Sequence, residues 1–199
     1  MIYAIGDSHA KFCFRGIPEV TILHIGTITL RRILHSEDTL LAETIAAIEP
    51  TESDFIIFCF GEIDIRCHVK SIVEHRTTIT MEGLLKDWAS KYALIIAALQ
   101  TNGARLGILS IIPPTSKETT KKEVRYPAHG LDIERALYTK TINRHLEEVC
   151  KERGWIYFDV YSPYVDESGM LPTERGDGTI HIGDNKKVKE LLREVSCVK

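Results

Sequence analysis

Met1-Ile-Tyr-Ala-Ile-Gly-Asp-Ser-His-Ala10 is the stretch from which the rest of the chain is read. Tyr3, Ala4 and Ile5 are apolar enough for a buried parallel strand, and Gly6-Asp7-Ser8 stops the run with residues that favour a tight turn and a helix cap. A hydroxyl at Ser8 then stands at the carboxyl edge of a sheet, where loop amides and helix N-termini converge in open α/β folds. Taken alone, Asp-Ser after a strand is also the ordinary chemistry of a turn. Near the other end stands Gly176-Asp177-Gly178-Thr179-Ile180-His181-Ile182-Gly183, ahead of a helix-like segment at 185–195. A serine nucleophile needs a base, and the base needs a carboxylate that fixes its tautomer; Ser8, His181 and Asp177 are those three types.

Their order, nucleophile first and an Asp-His pair last, differs from the G-x-S-x-G pattern, which is absent. The combination resembles the SGNH or GDSL-like hydrolase family, with a Gly-Asp-Ser block after the first strand, a glycine after the second, a Gly-containing block after the third and an Asp-His block before the last helix. The resemblance spans residues 2 to about 195 and implies that Gly26 donates its amide to an oxyanion, with Thr27 as a donor beside it. Two features depart from the usual family pattern. The third block reads Gly61-Glu62-Ile63-Asp64 where Gly-x-Asn-Asp is usual, so the asparagine amide is missing, and Asp177 precedes His181 by four residues where three are usual. A divergent branch with Gly-Glu-Ile-Asp followed by Arg and His, often polysaccharide-related, is the nearest match.

With 199 residues, 44% of them hydrophobic and 27% charged, the chain is long enough for one sizeable core. A formal net charge of -3 gives no basic field for nucleic acid. The longest apolar runs, at 55–60 and 92–99, are too short for a membrane span, and no N-terminal segment has the make-up of a signal peptide, so cytoplasmic residence is the default expectation. Cys13, Cys59, Cys67, Cys150 and Cys197 have no close paired spacing and read as free thiols.

Strands are expected at 3–5, 20–24, 55–60, 105–112 and 155–158, and helices at 39–48, from Met81 to the Asn102-Gly103 pair, at 132–153 and at 185–195. Thr80 is read as the cap of the second of these helices, Ser36-Glu37-Asp38 as a cap for the first, and Gly154 as the stop of the third. The alternation predicts a single domain over 1–199, a flavodoxin-like three-layer α/β/α sandwich with a mostly parallel five-stranded sheet. The polar stretch 115–130, with Lys117, Lys121, Lys122 and Arg125, reads as a solvated loop or a lid, and 159–176 as a pocket rim. The pair Arg31-Arg32 reads as a solvated surface.

The segment Gly61-Glu-Ile-Asp-Ile-Arg-Cys-His68 delivers a dense set of charges to the same edge as Ser8. If extended, it puts Glu62, Asp64, Arg66 and His68 on one side. Two readings of Arg66 stand open: a donor that replaces the missing amide, or a salt-bridge knot that braces the loop. A metal site built from Glu62, Cys67, His68 and His75 matches no closed zinc spacing, and Cys67 beside His68 gives poor nucleophile-to-base geometry. His9, next to the serine, is better placed for substrate contact or local packing than for a base.

The expected function is a serine esterase that removes O-acyl groups, acetyl above all, from a sugar or glycan. Transfer of the acyl group to a sugar hydroxyl, or carbohydrate binding without turnover, are the alternatives. The partner is then a small-molecule or glycan acyl ester. No nucleotide cofactor is expected, since neither a dinucleotide fingerprint nor a phosphate-loop lysine is present, and no metal is expected on the spacings above.

Overall fold

The computed structural model describes residues 1–35, 39–76, 78–118 and 126–197. The cap expected at Ser36-Glu37-Asp38 and the loop cations Lys121, Lys122 and Arg125 lie outside these residues. Strands β1 (Ile2–Gly6), β2 (Val20–His24), β3 (Phe55–Cys59), β4 (Arg105–Leu109) and β5 (Ile156–Phe158) form one sheet in the order β2-β1-β3-β4-β5, and every pairing is parallel. This is the flavodoxin-like order, whose connections reverse direction between β1 and β3.

Helices cover both faces: α1 (Ser8–Phe14), α2 (Leu30–Leu34), α3 (Leu40–Ile48), α4 (Glu62–Cys67), α5 (Val69–His75), α6 (Met81–Ala98), α7 (Asp132–Arg153) and α8 (Lys186–Cys197). Side-chain alternation divides the core between the faces. Tyr3, Ile5, Ile56, Phe58 and Ile108 pack with α2, α3, α6 and α7. Ala4, Ile57, Cys59, Leu109 and Phe158 pack with α1 and α8. β3 is buried along its whole length, as its unbroken apolar run requires.

Gly6 has a role that its turn chemistry did not reveal. It closes β1 in register with Cys59 of β3, and a Cβ placed on it would lie 2.2 Å from the Cys59 carbonyl oxygen. Close backbone approach, rather than a left-handed turn, requires the glycine there.

Three expectations are corrected. The segment after β3 is the helix α4, not an extended strand end, because its charges pair four residues apart: Glu62 with Arg66 and Asp64 with His68. α6 stops at Ala98 with Leu99 already extended, before Asn102-Gly103 turns the chain into β4; Asn102, at φ 49°, donates through Nδ2 to the Pro50 carbonyl at 3.1 Å. β4 ends at Leu109, and the Asn143 side chain takes the ladder's place beyond it, bonding both the N–H and the C=O of Ile111 at 2.8 Å. Thr80 caps α6 and Gly154 ends α7 at φ 67°, as read from the sequence. No helix among the described residues is long and apolar enough to cross a membrane.

Candidate active site

β1 delivers Ser8 to the first position of α1. Asp7 is the N-cap: its Oδ1 accepts the His9 N–H at 2.8 Å, which fixes the turn between strand and helix. His181 arrives from the far end on a hairpin-like loop. The Gly183 N–H donates to the Arg175 carbonyl at 2.7 Å and the Asp177 N–H to the His181 carbonyl at 3.1 Å, so Asp177 and His181 face each other across the loop. Two further bonds fasten the segment, from Tyr164 Oη to the Asp184 carbonyl at 2.9 Å and from Asn185 Nδ2 to the Arg15 carbonyl at 2.6 Å.

The result brings together residues 173 positions apart: His181 Nε2 lies 2.9 Å from Ser8 Oγ. The other ring nitrogen, Nδ1, is 3.0 Å from Thr179 Oγ1 and 3.5 Å from Asp177 Oδ2. Thr179 Oγ1 in turn donates to Asp177 Oδ1 at 2.5 Å, and the Thr179 N–H donates to the same oxygen at 2.8 Å. One proton arrangement satisfies all of these contacts. Ser8 O–H donates to Nε2, Nδ1–H donates to Thr179 Oγ1, and the threonine hydroxyl passes the interaction to the carboxylate. Thr179 thus stands between the two residues that the sequence paired directly.

The imidazole of His181 is buried and stacks on Phe12 of α1, with ring centroids 3.9 Å apart at 14°. His9 lies behind it at a centroid distance of 4.8 Å. His9 Nδ1 is 3.1 Å from Asp7 Oδ1 and its Nε2 is 3.2 Å from the Ile180 carbonyl and 3.7 Å from Glu62 Oε2. It therefore ties α1, α4 and the histidine loop together. Burial works against a charge on His9, but Asp7 and Glu62 outweigh it and push its pKa up to about 9. Burial and then the His9 charge hold His181 down to about 3, against the pull of Asp177 and Asp7. Asp177 itself is lowered: burial opposes the charge, and bonds from Thr179 together with His181 favour it.

Gly26 stands just past the end of β2. The Ile25 N–H donates to the Gly6 carbonyl at 3.0 Å, which sets the glycine beside the Gly-Asp-Ser turn. Its φ of 91° lies where side-chain-bearing residues are strained, although a Cβ there would meet nothing within 4 Å. Gly26 and Thr27 border a cleft of about 560 Å³ that also includes Arg31, Arg32, His35, His68 and Tyr126.

Arg66 is 4% exposed. Its Nε donates to Glu62 Oε1 at 2.7 Å, Nη2 to Glu62 Oε2 at 3.1 Å, and Nη1 to the Tyr126 carbonyl. Those bonds brace α4 against the segment around 126. Asp64 is fully buried and accepts the N–H groups of Leu30 and Arg31, with His68 Nδ1 3.0 Å from Oδ1. Burial raises its pKa against the effect of these partners. Cys13, Cys59, Cys67 and Cys150 are buried thiols outside any disulfide, and burial pushes Cys13 and Cys150 up to about 12.

No protein-family model matches the chain, and no curated protein matches it. Solved structures do. A GDSL-like lipase from Bacteroides thetaiotaomicron superposes with a TM-score of 0.62 at 15% identity, over 98% of this chain and 86% of that one. A member of the lipolytic G-D-S-L family from Veillonella parvula gives 0.53 at 14%, over 99% and 96%. An acetylxylan esterase from Geobacillus stearothermophilus gives 0.56 at 12%, over 98% and 91%. Its structures include three catalytic mutants, in which a serine, an aspartate or a histidine is replaced by alanine. At these identities the likeness is one of fold.

Proposed function

We propose that the protein is a serine esterase that removes an O-acyl group, acetyl foremost, from a saccharide. The observation that carries this reading is the 2.9 Å contact between Ser8 Oγ and His181 Nε2, made at the sheet edge by residues from opposite ends of the chain. The acetylxylan esterase with catalytic serine, aspartate and histidine supports it by analogy of fold.

In this mechanism Ser8 Oγ attacks the ester carbonyl carbon while its proton passes to His181 Nε2. The N–H groups of Ser8 and Gly26 receive the oxyanion. Collapse breaks the bond to the alkoxy oxygen, which leaves as the alcohol with the proton from His181. Water then attacks the acyl-Ser8, gives its proton to Nε2, and the acid departs with Ser8 Oγ reprotonated. Asp177, acting through Thr179, keeps the Nδ1 proton in place throughout, and Arg66 steadies Glu62 behind His9.

The test is acetate release from acetylated sugars, compared with fatty-acid release from long-chain esters, in wild type and Ser8→Ala. Ser8-dependent acetate release is expected. Cleavage confined to long-chain esters would reverse the substrate assignment, and no Ser8-dependent turnover across the panel would remove the esterase.

The pH profile checks the electrostatics. A protonated His181 cannot accept the serine proton, so a pKa held at about 3 places the acid limb of kcat/KM far below the ordinary histidine value. In His9→Gln the neighbouring cation is gone, imidazolium forms more readily, and the limb moves to higher pH. A wild-type limb near pH 6.5 that His9→Gln leaves in place would refute this role for His9.

Thr179 gives a sharper test. Thr179→Val removes the hydroxyl but keeps the branched shape, and kcat is expected to fall about 10²-fold with KM little changed, at the lower end of typical acid-base contributions. Thr179→Ser should restore most of the loss. Full activity in the valine variant would mean that Asp177 reaches His181 directly.

A further inference from the structure

The chain carries a net charge of -3, yet the cleft beside Gly26 is lined by Arg31, Arg32, His35 and His68, with no carboxylate among its described lining residues. Asp64, bonded to the first amides of α2, is fully buried and is occupied by them and by His68. That anchoring holds the start of α2 against α4 and fixes where the exposed Arg31 and Arg32 begin. A second cleft, of about 940 Å³, has the opposite sign: Asp132, Asp166, Glu167 and Glu174 line it, with Arg175.

Size decides which part of the ester enters the basic cleft. About 560 Å³ lies in the range of sites that enclose a whole small molecule, far more than a two-carbon acyl group fills. With the ester carbonyl at Ser8 and Gly26, the alcohol portion is the part large enough to occupy it. Thr27, Thr29 and Tyr126 add hydroxyl groups to the lining, which suit a polyhydroxylated ligand.

Resting on the esterase reading above, we infer that this cleft selects an alcohol that bears a fixed negative group, a carboxylate or a phosphate ester, held by Arg31 and Arg32. Guanidinium groups bind both anions in charge-assisted bonds. The basic lining also draws such a substrate toward Gly26 in preference to the acidic cleft.

The experiment compares three acetyl esters: an O-acetylated methyl glucoside, the matching O-acetylated methyl glucuronoside, and the matching 6-phosphate. Wild type and the Arg31→Gln/Arg32→Gln double variant are assayed at low and high salt, and binding of the same esters to Ser8→Ala is measured by calorimetry. The expected result is a kcat/KM about tenfold higher for an acidic ester than for the neutral one, expressed in KM, with the ratio falling toward one in the double variant and in high salt. The better of the two acidic probes identifies the anion. Ser8-dependent turnover with no preference in wild type, or a preference that survives in the double variant, overturns the cleft assignment and leaves the esterase standing. Tighter binding of an acidic ester without turnover does the reverse. Equal binding of all three without turnover removes both.

Discussion

Ser8→Ala is expected to lower kcat by about 10⁵- to 10⁶-fold while the protein stays folded, because in the proposed mechanism the hydroxyl is the group that becomes acylated. His181→Ala should cost a similar factor, and the double variant hardly more than either one alone. Residues that act as one unit lose their shared contribution at the first deletion, so the two effects do not multiply. The geometry behind this expectation is the 2.9 Å Ser8–His181 contact and the stacking of His181 on Phe12, which leaves the imidazole little freedom to turn away. Steady-state kinetics on an acetyl ester, with thermal melts of each variant, make the measurement. Retention of a tenth of wild-type activity by Ser8→Ala would exclude the nucleophile, and multiplicative losses in the double variant would mean that serine and histidine work independently.

Gly6→Ala is expected to produce the largest loss of stability among single-methyl insertions near the site. The added carbon would lie 2.2 Å from the Cys59 carbonyl oxygen and 2.8 Å from its Cβ, in the middle of the sheet where β1 and β3 pair. Backbone cannot step aside there as a flexible side chain does, so the cost falls at or above the upper end of overpacking penalties, about 3 kcal/mol. For a chain of this size that lowers Tm by roughly 6–12 °C. Gly26→Ala is the control: no atom lies within 4 Å of its added carbon, and only the φ of 91° opposes the change. A melting temperature unchanged in Gly6→Ala, or lowered equally in both, would show that close strand approach is not what selects the glycine.

The fold was legible because parallel strands covered on both faces read as unbroken apolar runs, and residues 55–59 are the plainest case. Ser8, Asp177, His181 and Gly26 stood out because strand ends, glycines and titratable residues coincide there. The segment 61–68 was misread because charges at every second position line one side of an extended strand, whereas in the helix they separate into two pairs, Glu62 with Arg66 and Asp64 with His68. Only the pairing of opposite charges at i and i+4 favours the helix, and that signal was present in the sequence. Thr179 went unnoticed. The extra residue between Asp177 and His181 was visible, but whether it widens the gap or fills it depends on a loop closed by backbone bonds that no side-chain pattern announces. The bracing by His9 was equally hidden, since it depends on Glu62 and Ile180, which are distant in sequence.

The wholly parallel sheet also governs the order in which the protein is made competent. No strand of the sheet can pair with its neighbour through a tight hairpin; each must wait for a crossover to be synthesised, and the interior β1 waits for β3 before it is enclosed on both sides. Ser8 leaves the ribosome before His181, the proposed base, which follows 173 positions later, roughly 9–35 s at usual elongation rates. During that interval the nascent chain carries the proposed nucleophile without His181 to accept its proton. The loop at 176–183 must fold against the Gly-Asp-Ser turn to unite them, so in the proposed mechanism chemical competence is a late event of maturation, and a chain cut short before His181 would lack the proposed base.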